Sequence, residues 1–275
     1  MLGLWHLASL DAPTVALTWS LALAWTVHIH LPLWIPILLP LAVWSIYVVD
    51  RLLDAHAALR SISLKQLRER HFFHWCYRRI LVPLATASAL AAAWIIFHLM
   101  PRNVRMHDSV LAAASLVYFT RVHTGRRILP LLSKEFLVGV LFTIGCALPA
   151  WSRIVPSQTV LWLPLLVSTL FFSLLAWLNC FAIDCWESQA ETPARTLVTT
   201  LALGVTGAAV ICSLLLSASS PRSALLLACG GIAALLLVLL DQIRHRLSPV
   251  TLRAAADLVL LTPAFLLVTA PLFRK

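Results

Sequence analysis

Two short acidic runs contain the residues whose types and spacing best suit chemistry. In Asp50-Arg-Leu-Leu-Asp54 two carboxylates stand four residues apart, and Asp184, Glu187 and Glu191 follow an i, i+3, i+7 spacing with Asn179 a little over one turn earlier. On a helix both spacings gather the carboxylates on one face, and such a face can hold a hard divalent cation that prefers oxygen ligands. Arg51 falls off that face. Magnesium seldom receives a complete protein cage and is usually finished by substrate phosphate oxygens. Two acidic faces opposed across one cavity therefore imply a diphosphate substrate bound through Mg2+. Asp50, Asp54, Asp184 and Glu187 would be the metal ligands and catalytic residues, and Asn179 would add an amide oxygen. Ionising an allylic diphosphate also needs cations around the leaving group, for which Arg121, Arg126, Arg127 and Lys134 are candidates.

The remainder of the chain determines where these runs sit. Of 275 residues, 61% are hydrophobic and only 12% charged, and the mean hydropathy is +0.91. That is too apolar for a soluble fold of this size and marks a polytopic membrane protein. At about 1.5 Å of rise per residue, a helix needs about 20 apolar residues to cross a hydrocarbon core of roughly 30 Å. Stretches near this length, separated by Pro or charge, fall at 11–29, 33–49, 81–100, 108–122, 134–151, 158–181, 196–217, 223–241 and 254–272. The expectation is an all-α bundle of nine transmembrane helices forming one domain over residues 1–275, with an apolar tunnel to house a hydrocarbon tail. Nothing alternates apolar and polar residues as the strands of a membrane barrel require.

Lys and Arg set the orientation. Fifteen of the 21 fall around the loops after the even-numbered spans, leaving Arg102, Arg105, Arg153, Arg222, Arg274 and Lys275 on the other side. The positive-inside rule then puts the N-terminus and the even loops in the cytoplasm and the C-terminus opposite, so both acidic runs share the cytoplasmic side. The first ten residues lack Lys and Arg, and the first span shows no cleavage site, so it is expected to remain in the protein.

The net charge of +10 does not point to nucleic acid, because seven of the basic residues lie in residues 51–80 beside a membrane surface. Anionic lipid headgroups or a phosphorylated substrate account for them better. Within that interval, Leu64-Lys-Gln-Leu-Arg-Glu-Arg-His-Phe-Phe-His-Trp75 is amphipathic and is expected to lie along the interface and cap a cytoplasmic cavity. The six cysteines form no CxxC or zinc spacing and are expected as reduced thiols. Hydrolase elbows, His-Glu-x-x-His and phosphate loops are all lacking.

On these residues the chain resembles the UbiA superfamily of intramembrane prenyltransferases. Tyr47-Val-Val-Asp50-Arg-Leu-Leu-Asp54-Ala is similar to the later half of that family's first aspartate motif, and Asn179-Cys-Phe-Ala-Ile-Asp184-Cys-Trp-Glu187-Ser188 stands where its second is expected. Tyr118-Phe-Thr-Arg121 resembles its Tyr-x-x-Lys/Arg element, and Lys134-Glu-Phe-Leu-Val-Gly139 with Gly145 resembles its fifth helix. Ile46 and Tyr47 occupy the positions of the family's Asn and first Asp, and Ser188 replaces the partner of Asp184. Glu187 or Glu191 would have to substitute. The resemblance implies a nine-helix bundle that transfers a prenyl group from a polyprenyl diphosphate to an acceptor, with Arg121 and Lys134 clamping the diphosphate and Tyr118 and Asn179 lining its site.

Plainer roles compete for the same residues. Asp50, Arg51 and Asp54 also suit an ordinary helix end, Asn179 a bond to a neighbouring helix, Glu191 a solvated loop, and Arg121 and Lys134 the positive-inside bias alone. His71 and His74 suit an interfacial segment, the eleven Trp suit interfacial anchors, and Asp257 suits a buried polar pair. Gly139, Gly145, Gly204 and Gly207 are expected to permit close helix packing. A terpene cyclase on the same scaffold, a non-catalytic isoprenoid- or lipid-binding protein and a small transporter are the functional alternatives.

Overall fold

The computed structural model describes residues 2–60, 69–123, 134–155, 158–188 and 192–269. They form α1 (Leu2–Leu7), α2 (Asp11–Thr26), α3 (Trp34–Arg60), α4 (Glu69–Cys76), α5 (Arg78–His98), α6 (Arg102–His123), α7 (Lys134–Trp151), α8 (Trp162–Glu187), α9 (Thr192–Leu216), α10 (Pro221–Ile243), α11 (Pro249–Val259) and α12 (Ala264–Thr269). Among the described residues there is no strand.

Six helical segments are long and apolar enough to cross a bilayer: Trp34–Leu59, Arg78–His98, Lys134–Trp151, Thr159–Glu187, Thr196–Leu216 and Pro221–Arg246. The other three expected spans take different forms. Residues 11–29 give the 16-residue α2, twelve of whose residues are buried; it is an internal strut rather than a lipid-facing helix. Residues 108–122 belong to α6, which begins earlier and carries Arg102, Arg105 and Asp108 in its first half. The expected ninth span divides into α11 and α12 around Pro263, where proline removes a backbone donor and clashes with the preceding turn.

Around α2 pack α3, α7, α8, α10 and α11. Trp19, fully buried, stacks on Phe172 of α8 with ring centroids 3.9 Å apart, and its Nε1 donates to the Leu260 carbonyl at 2.8 Å. That carbonyl lies where α11 ends, so an internal indole satisfies an acceptor that the break leaves without an intrahelical partner. Tryptophan here is core rather than anchor. Close approach is required at Gly139, where an added Cβ would stand 2.8 Å from the Trp177 backbone nitrogen, and at Gly231, where it would stand 2.9 Å from Ala209 Cβ. Gly204 and Gly207 face open space, so the packing role expected of them passes to Gly231 and its neighbour Gly230, which lies against the Phe171 ring.

At one end of the bundle, α1 and α4 lie across the helix ends. α1 packs on α11 and α4, and α4 packs on α3. The ends of α3 and α8 and the start of α11 meet beneath this layer.

Candidate functional site: a charged network under the α1 and α4 cap

The two acidic runs meet through consecutive residues of α4. His71 Nε2 accepts Arg70 Nε–H at 3.3 Å, and Asp54 Oδ2 of α3 lies 3.5 Å from the same nitrogen without receiving a proton from it. Arg70 also donates to Glu187 Oε1 of α8 at 3.3 Å, and Arg253 of α11 donates to the same oxygen at 2.5 Å. Arg70, Glu187 and Arg253 thus bond α4, α8 and α11 together, with Asp54 of α3 placed beside the His71 imidazole. Arg70, His71 and His74 are all buried while Phe72 stays exposed, so the described part of the expected amphipathic segment turns its polar residues inward as a cap; residues 64–68 lie outside the described residues. His74 Nδ1–H donates to the Arg70 carbonyl at 2.8 Å, and its Nε2 lies 3.3 Å from the Ser9 hydroxyl. Burial first, and then the positive charge of Arg51, push the His74 pKa down to about 4, so the imidazole is neutral at pH 7 and its Nε2 accepts from Ser9.

The remaining predicted residues form a looser flank. Lys134 Nζ lies 3.8 Å from Asp184 Oδ1 and 3.6 Å from Glu135 Oε1. Arg51 reaches back to within 3.6 Å of Asp50 Oδ2, and its guanidinium lies 5.8 Å from the centroid of the Tyr47 ring. Tyr118 on α6 sits within electrostatic range of Asp50 and Glu135, so α3, α6 and α7 converge here. Glu191, Arg126, Arg127 and the side chain of Arg121 lie outside the described residues.

A second group lies one layer further in. His6 Nδ1–H donates to Asp11 Oδ2 at 2.5 Å and lies 3.6 Å from Asp257 Oδ2. Asn179 Nδ2 donates to Asp257 Oδ1 at 3.1 Å, so the amide expected to face the diphosphate instead joins α8 to α11. Burial opposes a charged imidazole at His6, but the hydrogen bonds and negative charge of Asp11 and Asp257 outweigh it and raise its pKa. Sequence reasoning anticipated a polar partner for Asp257. It missed His6 and Asp11, 246 positions or more away along the chain.

No family model, curated protein or solved structure matches this chain. The chemistry therefore rests on the geometry.

As a magnesium site, the predicted quartet divides. Asp50, Asp54 and Asp184 are hard oxygen donors held by long contacts of 3.5–3.8 Å, and Asp184 keeps half its side chain exposed. These three oxygen donors do not gather around one point as a ready-made cage. Glu187 does not fit, because two guanidinium groups already share one of its oxygens. Among the described residues, three metal-capable atoms come within 4.8 Å of one another only in the inner group of His6, Asp11 and Asp257. A further carboxylate, Asp241, is committed to structure: it accepts Trp186 Nε1–H at 2.8 Å, the Thr199 hydroxyl at 2.9 Å and Arg244 at 3.0 Å.

Proposed function

We propose that this chain is an intramembrane prenyltransferase of UbiA type, which binds a polyprenyl diphosphate with Mg2+ and passes the prenyl group to an acceptor. One observation carries the proposal: Asp54 of the first acidic run lies 3.5 Å from His71, and the adjacent Arg70 pairs with Glu187 of the second, so consecutive residues of α4 bring the two runs to one end of the bundle. Apolar surface that could take the tail lies between α3 and α5: a hollow lined by Val49, Leu52 and Val82 adjoins the turn that bears Asp50 and Asp54, and a separate groove of about 600 Å³, lined by Leu33, Ile37, Leu41, Trp94 and Ile95, lies at the far end of the same helix pair. In this proposal α2, α6 and the α11–α12 pair complete a nine-helix bundle, with the charged end and N-terminus cytoplasmic and the C-terminus opposite.

Asp50, Asp54 and Asp184 would hold magnesium, which when bound offsets the charge developing on the leaving diphosphate. Lys134 stands beside Asp184 to meet a phosphate oxygen. Glu187 holds Arg70 and Arg253 in place as fixed cations at the same end, the preorganised electrostatics that ionisation requires. Purified protein incubated with Mg2+, labelled prenyl diphosphates of graded chain length and a membrane-lipid and aromatic extract as the source of acceptor should release diphosphate and yield a prenylated product, and Asp54→Asn and Asp184→Asn should lower that release at least tenfold. Absence of release at every chain length overturns the enzymatic assignment. A non-catalytic isoprenoid-binding role is favoured by the ion pairing of Glu187 with two arginines, and saturable binding without release would establish it. A terpene cyclase would release diphosphate and leave a cyclised hydrocarbon with no acceptor consumed.

A further inference from the structure

We infer that the outer face of the α4–α5 elbow, Phe72 to Ile80, is a docking surface for anionic phospholipid in the leaflet at the charged end of the bundle. The amphipathicity of α4 runs opposite to that of a cap bathed in water. Arg70, His71 and His74 are buried, while Phe72 is 59% exposed. Tyr77 at 51% and Ile80 at 59% extend the exposed apolar strip to the start of α5. Such a face is costly in water and stable where the boundary between headgroups and acyl chains covers it. The segment Arg78–His98 is one of those long and apolar enough to cross a bilayer. Its first turn and the elbow before it therefore stand at headgroup depth.

Charge selects the lipid. Arg78 and Arg79, both exposed, lie between Tyr77 and Ile80. Arg78 folds back on Trp75: its Nη1 donates to the Trp75 carbonyl at 2.6 Å, and its guanidinium carbon lies 4.5 Å from the indole centroid. His56 of α3 stacks on the same indole with ring centroids 6.1 Å apart, so the cation is held at a fixed place on the cap. A guanidinium carries five N–H donors in a planar fork, and one bond to a carbonyl leaves it able to meet phosphate oxygens. Glu69 is the only acidic residue in the sequence between Asp54 and Asp108, so the stretch around the elbow is strongly basic. Two arginines at a membrane surface give about a tenfold preference for anionic over zwitterionic lipid.

The lipid would seat the cap. From the inner face of α4, Arg70 donates to Glu187 of α8 at 3.3 Å and His74 meets the Ser9 hydroxyl at 3.3 Å. Phe72, between them in sequence, points outward. Anionic lipid gripped by Arg78 and Arg79, with Phe72 among the acyl chains, thus presses onto the bundle the helix that delivers Arg70 to the second acidic run.

The test uses the full chain in detergent, with phosphatidylglycerol and phosphatidylcholine of identical acyl chains as probes and native mass spectrometry as the readout. Wild type should retain phosphatidylglycerol about tenfold more strongly than phosphatidylcholine. Arg78→Gln/Arg79→Gln should lose that preference, whereas the charge-matched Arg102→Gln/Arg105→Gln, at the far end of α5, should keep it. Amide exchange in residues 69–76 should slow when phosphatidylglycerol is added to wild type and should not respond in Arg78→Gln/Arg79→Gln. Equal retention of the two lipids by wild type overturns the surface regardless of how the variants fold. An undiminished preference in folded Arg78→Gln/Arg79→Gln does so too, and unchanged exchange in wild type overturns the seating of the cap. A dimer in detergent that Phe72→Ser disperses, with no lipid preference, would assign the face to a second copy of the chain instead. These measurements use neither Mg2+ nor prenyl diphosphate, so their failure is distinct from failure of the prenyltransferase assignment.

Discussion

Glu187 is the residue at which magnesium ligation and the organisation of cations make opposite predictions, and Glu187→Gln separates them. In the structure its Oε1 accepts from Arg253 at 2.5 Å and from Arg70 at 3.3 Å, with side-chain exposures of 20%, 18% and 9% respectively. Exposed ion pairs contribute about 0–1 kcal/mol, whereas removing one partner from a fully buried pair costs about 3–5 kcal/mol because a charge is left uncompensated. Between those limits, the neutral amide should lower stability by about 2 kcal/mol. Unfolding by SDS in mixed micelles measures this, and a double-mutant cycle with Arg253→Met should return a coupling of about 1–2 kcal/mol. On the proposed prenyltransferase reading, the Mg2+ concentration that half-saturates diphosphate binding should stay within twofold of wild type, because two guanidinium groups already occupy the glutamate. Asp184→Asn is the contrasting variant. Its partner lies 3.8 Å away and both side chains are at least half exposed, so stability should change by less than about 0.5 kcal/mol while Mg2+ dependence weakens. Unchanged stability in Glu187→Gln, a coupling near zero, or a tenfold loss of Mg2+ affinity would refute this assignment of roles.

Gly139→Ala should destabilise the bundle by about 1–3 kcal/mol, as overpacking typically does, because the new methyl meets the Trp177 backbone nitrogen at 2.8 Å. In contrast, Gly204→Ala adds a methyl in open space and should be neutral or stabilising by up to about 1 kcal/mol through helix propensity; equal effects in the two variants would count against the close α7–α8 approach. Trp19→Ala should cost about 3–5 kcal/mol by removing the stack on Phe172 and the bond to Leu260, again read from SDS unfolding. The His74 pKa is lowered from 6.5 to about 4 by burial and by Arg51, with Asp11 opposing and His6 reinforcing the shift. An unfolded chain takes up this proton at higher pH than the folded one, so the stabilising contribution of neutral His74 is complete above pH 6.5 and is lost as the pH falls towards 4. The unfolding midpoint should therefore drop more steeply over that window in wild type than in His74→Gln; parallel curves would sink the assignment.

Hydrophobic length located the six long apolar segments, because a window of apolar residues is a local property. It could not tell whether an apolar helix faces lipid or protein. Residues 11–26 have the composition of a span, yet α2 is short and its side chains are mostly buried, Trp19 among them. Residues 254–272 likewise contain enough apolar positions to cross, but Pro263 carries a backbone constraint that hydropathy does not count. The glycines show a related gap. Gly139 and Gly204 are equivalent in sequence, and only the presence of Trp177 backbone beside one of them separates a required glycine from a permissive one.

The carboxylate spacing singled out Asp54 and Glu187 as candidates because helical periodicity makes neighbours of residues three and four apart. Nothing periodic relates Glu187 to Arg70 or Arg253, which arrive on other helices, so the charge state of the second acidic run was illegible even where its location was not. The inner group is harder still. His6 and Asp11 look like isolated polar residues at the start of an apolar chain, and Asp257 like a single defect in a late one; each becomes chemically suggestive only when α1 folds back at Ser9 and α11 lies against it. Burying a lone carboxylate is costly enough that Asp257 alone demanded a partner. The partners found were a histidine, a second carboxylate and an amide donor, so hydrogen bonds offset the cost of burying this carboxylate in a way that its place in an apolar segment does not reveal.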